Sequence, residues 1–237
     1  MFMLGPDEVH IWRARLQPFA EEIKRLGQLL TPDEQARARR FHFRKDREHF
    51  IVARGILRSI LARYLNTEPA RLRFEYSHYG KPSLRREFGG DTFRFNLSHS
   101  RGLALYAFAR SRELGVDIEF MREDFAGEKI ARDFFSPREV ADLRLLPPSQ
   151  RTEAFFHCWT RKEAYIKAVG EGLSMPLDEF DVSLFPAEPA ALLSNRKLPQ
   201  EVLRWSLLTI DVACEYVAAV AVEGHDWQLR CWSWKGP

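Results

Sequence analysis

The densest chemical signal in the sequence is Gly115-Val116-Asp117-Ile118-Glu119. On a strand, Asp117 and Glu119 point to one face, while Val116, Ile118 and Phe120 point to the other. Two carboxylates on an otherwise apolar strand repel each other and are costly to bury unless a cation neutralises them. Magnesium takes oxygen ligands and keeps part of its shell for water and substrate phosphates, so two or three carboxylates suit it. A solvent-facing strand edge accounts for the pair equally well.

A second cluster lies in Phe155-Phe156-His157-Cys158-Trp159-Thr160-Arg161-Lys162-Glu163-Ala164-Tyr165-Ile166-Lys167. Read as a helix, it places Phe155, Trp159, Ile166 and Val169 near one face. Glu163 stands one turn after Trp159, and Lys167 one turn after Glu163. Glu163, at the border of that face, is a candidate third metal ligand or base, and Lys167 a candidate phosphate contact. An ordinary surface Glu–Lys pair is the plain alternative. Gly170-Glu171-Gly172 then ends the helix with residues that permit positive φ.

The third feature, Phe95-Asn96-Leu97-Ser98-His99-Ser100, puts polar groups at the mouth of a strand. Ser98 and His99 are adjacent, so on an extended chain they point in opposite directions, and no GxSxG elbow surrounds Ser98. A hydrolase is therefore disfavoured; a phosphate-contacting pair fits better, and a structural histidine stays open. The loop Tyr79-Gly80-Lys81-Pro82 offers one lysine and is neither a Walker A loop nor a dinucleotide fingerprint. Between Glu34 and Arg58, eight Lys or Arg residues stand against three acids. Such a run attracts anions, whether a nucleotide, a nucleic acid or an acidic protein, or forms a solvated helix face.

The elements needed to position these groups can be read from the same letters. A strand is expected at Val9–Arg15 and a helix from Thr31, where Thr31, Pro32 and Glu34 spell a capping signal, toward Phe43. A second helix, Asp46–Tyr64, carries Phe50, Ala53, Leu57, Ile60, Leu61 and Tyr64 as one apolar stripe. Strands follow at Arg71–Tyr76, Phe93–Leu97, Leu103–Ala109 and Leu114–Phe120. Helices are expected at Gly127–Phe134, Pro137–Leu145 and Thr152–Val169, then strands at Phe180–Leu184, Val202–Ile210, Tyr216–Val222 and Trp227–Trp234. The stretch Pro186–Leu198 reads as a loop. Two α+β units result, 1–112 and 113–237, sharing a seam near Ser111–Gly115.

The bulk properties set bounds. With 237 residues, 45% hydrophobic and 29% charged, the chain can bury a sizeable core, and its net charge of +3 decides little. Cys158, Cys214 and Cys231 are far apart in sequence, without CxxC or zinc spacing, which argues against a disulfide scaffold or a structural zinc site. No signal peptide or membrane span is read, so a cytoplasmic protein is expected.

FNLSHS (95–100), GVDIE (115–119), FFSPRE (134–139) and WTRKEAYIKAVGEGL (159–173), in this order and spacing, resemble the 4'-phosphopantetheinyl transferases of the larger, surfactin-synthetase-activating (Sfp-like) type. The likeness runs from about Leu30 to Leu184. It implies an α+β pseudo-dimer of two similar subdomains in one chain, with the active cleft between them. The implied reaction moves the phosphopantetheine arm of coenzyme A to a serine of an acyl or peptidyl carrier protein, with Mg2+ or Mn2+. Asp117, Glu119 and Glu163 would hold the metal; Glu163, also the candidate base, and Lys167, beside the pyrophosphate, would be catalytic.

Coenzyme A contacts would come from Arg37, Arg40, Arg54, Lys81, Ser98, His99, Asp117 and Lys167. Glu139 falls where the family has an acid of structural or supporting kind. The chain departs from the pattern one turn before Arg37, where Asp33 and Glu34 stand in place of a basic residue; either Arg40, Arg44 or Arg54 supplies that charge, or the 3'-phosphate is held differently. The segment Met121–Phe135, with Arg122, Phe125, Lys129, Ile130, Arg132 and Phe134, is the expected carrier dock, and a packed linker is its alternative. A monomer with no nucleic-acid or membrane partner is expected. A non-catalytic coenzyme A- or carrier-binding protein of the same fold and a metal-dependent nucleic-acid-binding protein are the competing readings.

Overall fold

The computed structural model describes residues 3–17 and 19–236. In the first half, strands β1 (Glu8–Arg15), β4 (Phe93–Ser100) and β5 (Leu103–Arg110) and helix α3 (Arg44–Leu65) form the frame. The second half is framed by β6 (Leu114–Phe120), helix α6 (Pro148–Val169), β9 (Trp205–Thr209) and β10 (Tyr216–Glu223). The last strand, β11 (Gln228–Ser233), runs parallel to β1, with Trp12 stacked on Trp232. Two main sheets result, in the orders β11-β1-β5-β4 and β6-β10-β9. The chain beyond residue 113 thus returns one strand to the first sheet.

Alternation of side chains along the strands builds a stack of four layers. From β5, Ala104, Tyr106 and Phe108 pack with Val52, Ile56 and Ile60 of α3, while Leu105, Ala107 and Ala109 meet Val116 and Ile118 of β6. From β10, Ala218, Val220 and Val222 join that inter-sheet core, and Val217, Ala219 and Ala221 pack with Phe155, Tyr165 and Ala168 of α6. The order is helix, sheet, sheet, helix: two similar sheet-plus-helix units back to back. Each fully buried Leu, Ile or Phe in these layers contributes about 1.5–3 kcal/mol.

One glycine sets how near α6 comes to its sheet. A Cβ at Gly115 would lie 2.2 Å from the Ala164 carbonyl oxygen and 2.3 Å from the Ala168 nitrogen. Only glycine therefore lets β6 slide under the helix that carries Glu163 and Lys167. At the far end, Gly170 (φ +88°) caps α6 in the left-handed conformation, as its type predicts.

Several elements differ from the reading of the letters. Helix α1 (Ala20–Gly27) is an element the letters do not disclose: it is eight residues long and buries only Leu26. The helix from Thr31 is shorter, α2 (Pro32–Arg39), because Phe43 is extended and starts α3 anew. Strand β2 is only Phe74–Tyr76, paired with β3 (Pro82–Leu84). Before it, the Arg58 guanidinium draws the Pro69 and Leu72 carbonyls into a 3-10 turn over Pro69–Arg71. The expected loop 186–198 contains β8 (Leu192–Asn195), paired with β7 (Phe180–Val182). The expected strand Val202–Ile210 opens as one helical turn, α7 (Glu201–Arg204), since Glu201 accepts from the Trp205 indole at 2.6 Å.

Helices α4 (Glu128–Phe134) and α5 (Pro137–Leu145) bridge β6 to α6. Among the described residues no helix is long and apolar enough to cross a membrane. Cys158, buried, and Cys214 and Cys231, exposed, are all free thiols.

Candidate active site

Gly115, Asp117 and Glu119 face α6 because Val116 and Ile118 are committed to the core between the sheets. Asp117 is 2% exposed. Its Oδ1 accepts from the Lys167 ammonium at 2.6 Å and from the Ser98 hydroxyl at 2.8 Å. Its Oδ2 is buried and has no hydrogen-bond partner. A buried carboxylate oxygen without a partner is costly, and a cation beside it would remove the cost. Glu119, further along the strand, accepts from the Ser100 hydroxyl at 2.8 Å.

Glu163 and Lys167, on successive turns of α6, complete the cluster. Burial pushes the Glu163 carboxyl up to about 7; Lys167 opposes this, and the charges of Asp117 and Glu119 reinforce it. Burial and Asp117 likewise raise Glu119, against the pull of Ser100 and Lys167. Burial alone would lower Lys167, but the charge and hydrogen bond of Asp117 outweigh it and hold the ammonium protonated. The site is thus over-supplied with carboxylates relative to its one lysine, which suits a divalent cation. Among the described residues, no group of three or more His, Cys, Asp or Glu side chains stands as a ready-made metal cluster. A cation on Asp117 Oδ2 would therefore need oxygens from its substrate as well as from Glu119 and Glu163.

Beside the carboxylates, a cleft of about 380 Å³ opens between α3 and β4, lined among others by Arg37, His49, Phe50, Arg54, Asn96 and His99. Adjacent residues of β4 divide the work: Ser98 turns to Asp117 and His99 to the cleft. Two nitrogens on this lining, His49 Nε2 and Arg54 Nη1, are buried without partners. Arg54 Nη1 is an unpartnered donor, and His49 Nε2 becomes one in the tautomer that carries its proton, so this concave wall suits an anion. Arg37, exposed at the rim, lies with its guanidinium 5.4 Å from the Phe50 ring. His49 was not singled out from the sequence; only its place on the face of α3 shared with Ala53 and Leu57 marks it.

The remaining sequence candidates lie around this cleft. Arg40, at the end of α2, is exposed and is not among the residues lining the cleft. Lys81 bonds the Ala168 carbonyl at 3.0 Å and lies 3.4 Å from both Glu113 Oε2 and the Leu114 carbonyl, tying the β2–β3 hairpin to the end of α6. The acid at position 34 also finds its reason. Glu34 is buried; it accepts from the Thr31 backbone at 3.0 Å, from Arg58 at 2.7 Å, and sits 3.5 Å from Arg54. It therefore orients Arg54, which also donates to the Tyr76 hydroxyl at 2.8 Å. Glu139 is structural: it caps α5 and pairs with the fully buried Lys162 at 2.8 Å.

Comparison with known proteins places the chain in a family. The family model of the 4'-phosphopantetheinyl transferase superfamily matches residues 113–221, and that of the 4'-phosphopantetheinyl transferase N-terminal region matches residues 14–110. The 4'-phosphopantetheinyl transferase HetI of a Nostoc species is 44% identical over 226 residues, covering 95% of this chain and 92% of the relative. The transferase psf-1 of Bacillus pumilus is 34% identical over 205 residues (83% and 84% covered), and Sfp of Bacillus subtilis is 34% identical over 164 residues (69% and 70%). The chain belongs to the 4'-phosphopantetheinyl transferase superfamily, on its larger HetI- and Sfp-like branch, and is an enzyme of that class.

Proposed function

We propose that this chain moves the 4'-phosphopantetheine arm of coenzyme A to a serine of an acyl or peptidyl carrier protein. The observation that carries the assignment of roles is Asp117. It is anchored through one oxygen by Ser98 and Lys167 and keeps the other buried and unpartnered, next to a cleft with two unpartnered nitrogens, of His49 and Arg54. Asp117, Glu119 and Glu163 would hold a divalent cation, magnesium or manganese, which supplies charge neutralisation at the pyrophosphate when bound.

The residues of the chain then share the work. Arg54, His49 and His99, with Arg37 at the rim, receive the nucleotide phosphates; Ser98 joins the nucleotide site to the carboxylates. Glu163 takes the proton of the carrier serine, directly or through one water, as the serine oxygen forms its bond to the pantetheine-bearing phosphorus. The bond from that phosphorus to the bridging oxygen breaks, and 3',5'-adenosine bisphosphate departs. Lys167 stabilises the negative charge gathering on the leaving phosphate. Lys81 holds the wall of the cleft in place through the end of α6. The cleft is built from one chain, which supports a monomeric working unit.

For the carrier, the segment 121–135 presents exposed Lys129, Arg132 and Phe134, with Arg132 tied to Glu128 at 2.6 Å and Phe134 seated against Trp159. Phe134 offers an exposed apolar anchor, and Lys129 and Arg132 stand near it among the exposed acids Glu123, Asp124, Glu128 and Asp133; the two bases are the groups of this mixed surface that suit an acidic carrier helix. Charge reversal at Lys129 and Arg132 should raise the carrier KM several-fold and leave kcat alone; an unchanged KM removes this surface from the account. The reaction itself is tested by incubating the chain with coenzyme A, apo carrier protein and Mg2+ and assaying 3',5'-adenosine bisphosphate. Release that requires both the carrier and the metal supports the proposal, and release unaffected by a chelator contradicts it.

A further inference from the structure

The seam between the two sheets is laced by side chains instead of a backbone ladder. Strand β4 hydrogen-bonds as a strand to β5, and β6 to β10. Across the gap, every second residue of β4 reaches over. Asn96 Oδ1 accepts from the Val116 amide at 3.0 Å, Ser98 donates to Asp117 at 2.8 Å, and Ser100 donates to Glu119 Oε2 at 2.8 Å. The period is two because alternate side chains share one face of a strand. Ser100 does more than one task. Its oxygen also accepts from the Phe120 amide at 3.1 Å, the N–H of the last residue of β6.

We propose that Ser100 is a positioning residue: by bridging the Phe120 amide and the Glu119 carboxylate it fixes the orientation in which Glu119 is offered to a divalent cation. This inference rests on the metal reading given above and adds a residue outside the ligand set. The physical case is one of lost freedom. A hydroxyl carries one proton and two lone pairs, so accepting from Phe120 locates the oxygen, and its own proton is then given to Glu119. Glu119 is only partly buried and has free torsions that would otherwise have to be stilled when a cation binds. Groups that hydrogen-bond a metal ligand in this way commonly matter to metal affinity by about 10–100-fold. Ser98, which touches Lys167 as well as Asp117, mixes this role with others; Ser100 isolates it.

The test is Mn2+ binding in the presence of coenzyme A, followed by the loss of free-ion electron paramagnetic resonance signal. It compares wild type, Ser100→Ala, Ser100→Thr and Asp117→Asn. Ser194→Ala is the control, since Ser194 donates to Asp181 in the separate β7–β8 hairpin. Ser100→Ala should weaken Mn2+ about 10-fold or more, with Ser100→Thr within about threefold of wild type and Ser194→Ala unchanged. The affinity for coenzyme A without metal should not move. Should Ser100→Ala fail to fold, Ser100→Cys, a weak donor of similar shape, should show the same loss. Wild-type Mn2+ affinity in Ser100→Ala, or an equal loss in Ser194→Ala, overturns the inference while leaving the metal reading intact. Asp117→Asn binding Mn2+ as tightly as wild type overturns the metal reading itself, and the role of Ser100 with it.

Discussion

Helix α6 carries two lysines five residues apart, each paired with a buried acid, and the two pairs have opposite characters. Lys162 is fully buried; it meets Glu139 at 2.8 Å and the Leu177 and Phe180 carbonyls at 2.6 Å each. Glu139 in turn accepts the Ser136 and Val182 amides at 2.9 and 2.8 Å. Every polar atom of that pair has its partner. Lys167 is 28% exposed, and its partner Asp117 leaves one oxygen buried and unanswered. The same ion-pair chemistry is thus closed at one lysine of the helix and open at the other, little more than a turn further on. A closed pair fixes the chain: Glu139 and Lys162 pin α5, α6 and β7 together, so that the register of α6 against β6 is set. An open pair can still accept a ligand.

The largest expected effect breaks the closed pair. Glu139→Ala leaves the Lys162 ammonium buried and uncompensated and should cost about 3–5 kcal/mol of unfolding free energy in a denaturant titration. An exposed pair would cost far less, and a loss below about 1 kcal/mol would show that the closed pair is not structural.

A smaller effect, of the opposite sign, sharpens the view of the open pair. Glu163, raised from an ordinary carboxyl near 4.5 to about 7, binds its proton more tightly in the folded than in the unfolded chain. Its contribution to stability is therefore present at low pH and lost as pH rises from about 4.5 through 7. In the metal-free protein, Glu163→Gln should raise stability by about 1–3 kcal/mol at pH 8 and leave it nearly unchanged below pH 4.5. A site residue whose removal stabilises the fold is what an open, charge-crowded cluster predicts. Destabilisation by Glu163→Gln at pH 8 would contradict it.

The two pairs also differ in how far the sequence discloses them. The open site is carried by local pattern: the alternation in Gly115–Glu119 places both acids on one face, and four-residue spacing places Glu163 and Lys167 on adjacent turns. Strand Leu114–Phe120 and helix Pro137–Leu145 fall where the letters put them. What could not be read is pairing between distant segments. Asp33 and Glu34 look misplaced in a basic stretch until Arg54 and Arg58, from the next helix, close on Glu34. The union of β11 with β1 rests on contacts more than 200 residues apart in the chain. The spacing of Asn96, Ser98 and Ser100 is visible as a period of two, but its partner strand is not. Helix α1 and strand β8 are not legible because both are short, α1 burying only Leu26 and β8 only Leu192 and Asn195, with proline and polar neighbours diluting the pattern.

The most direct test of the account is the intact mass of apo acyl and apo peptidyl carrier proteins after incubation with coenzyme A and Mg2+. It is run side by side with the wild-type chain and Asp117→Asn, which keeps the shape of the side chain but removes its charge. Wild type should add one phosphopantetheinyl group to at least one carrier, a chelator should prevent the gain, and Asp117→Asn should leave the carrier mass unchanged over the same time course. Modification by Asp117→Asn at a rate close to wild type would contradict it.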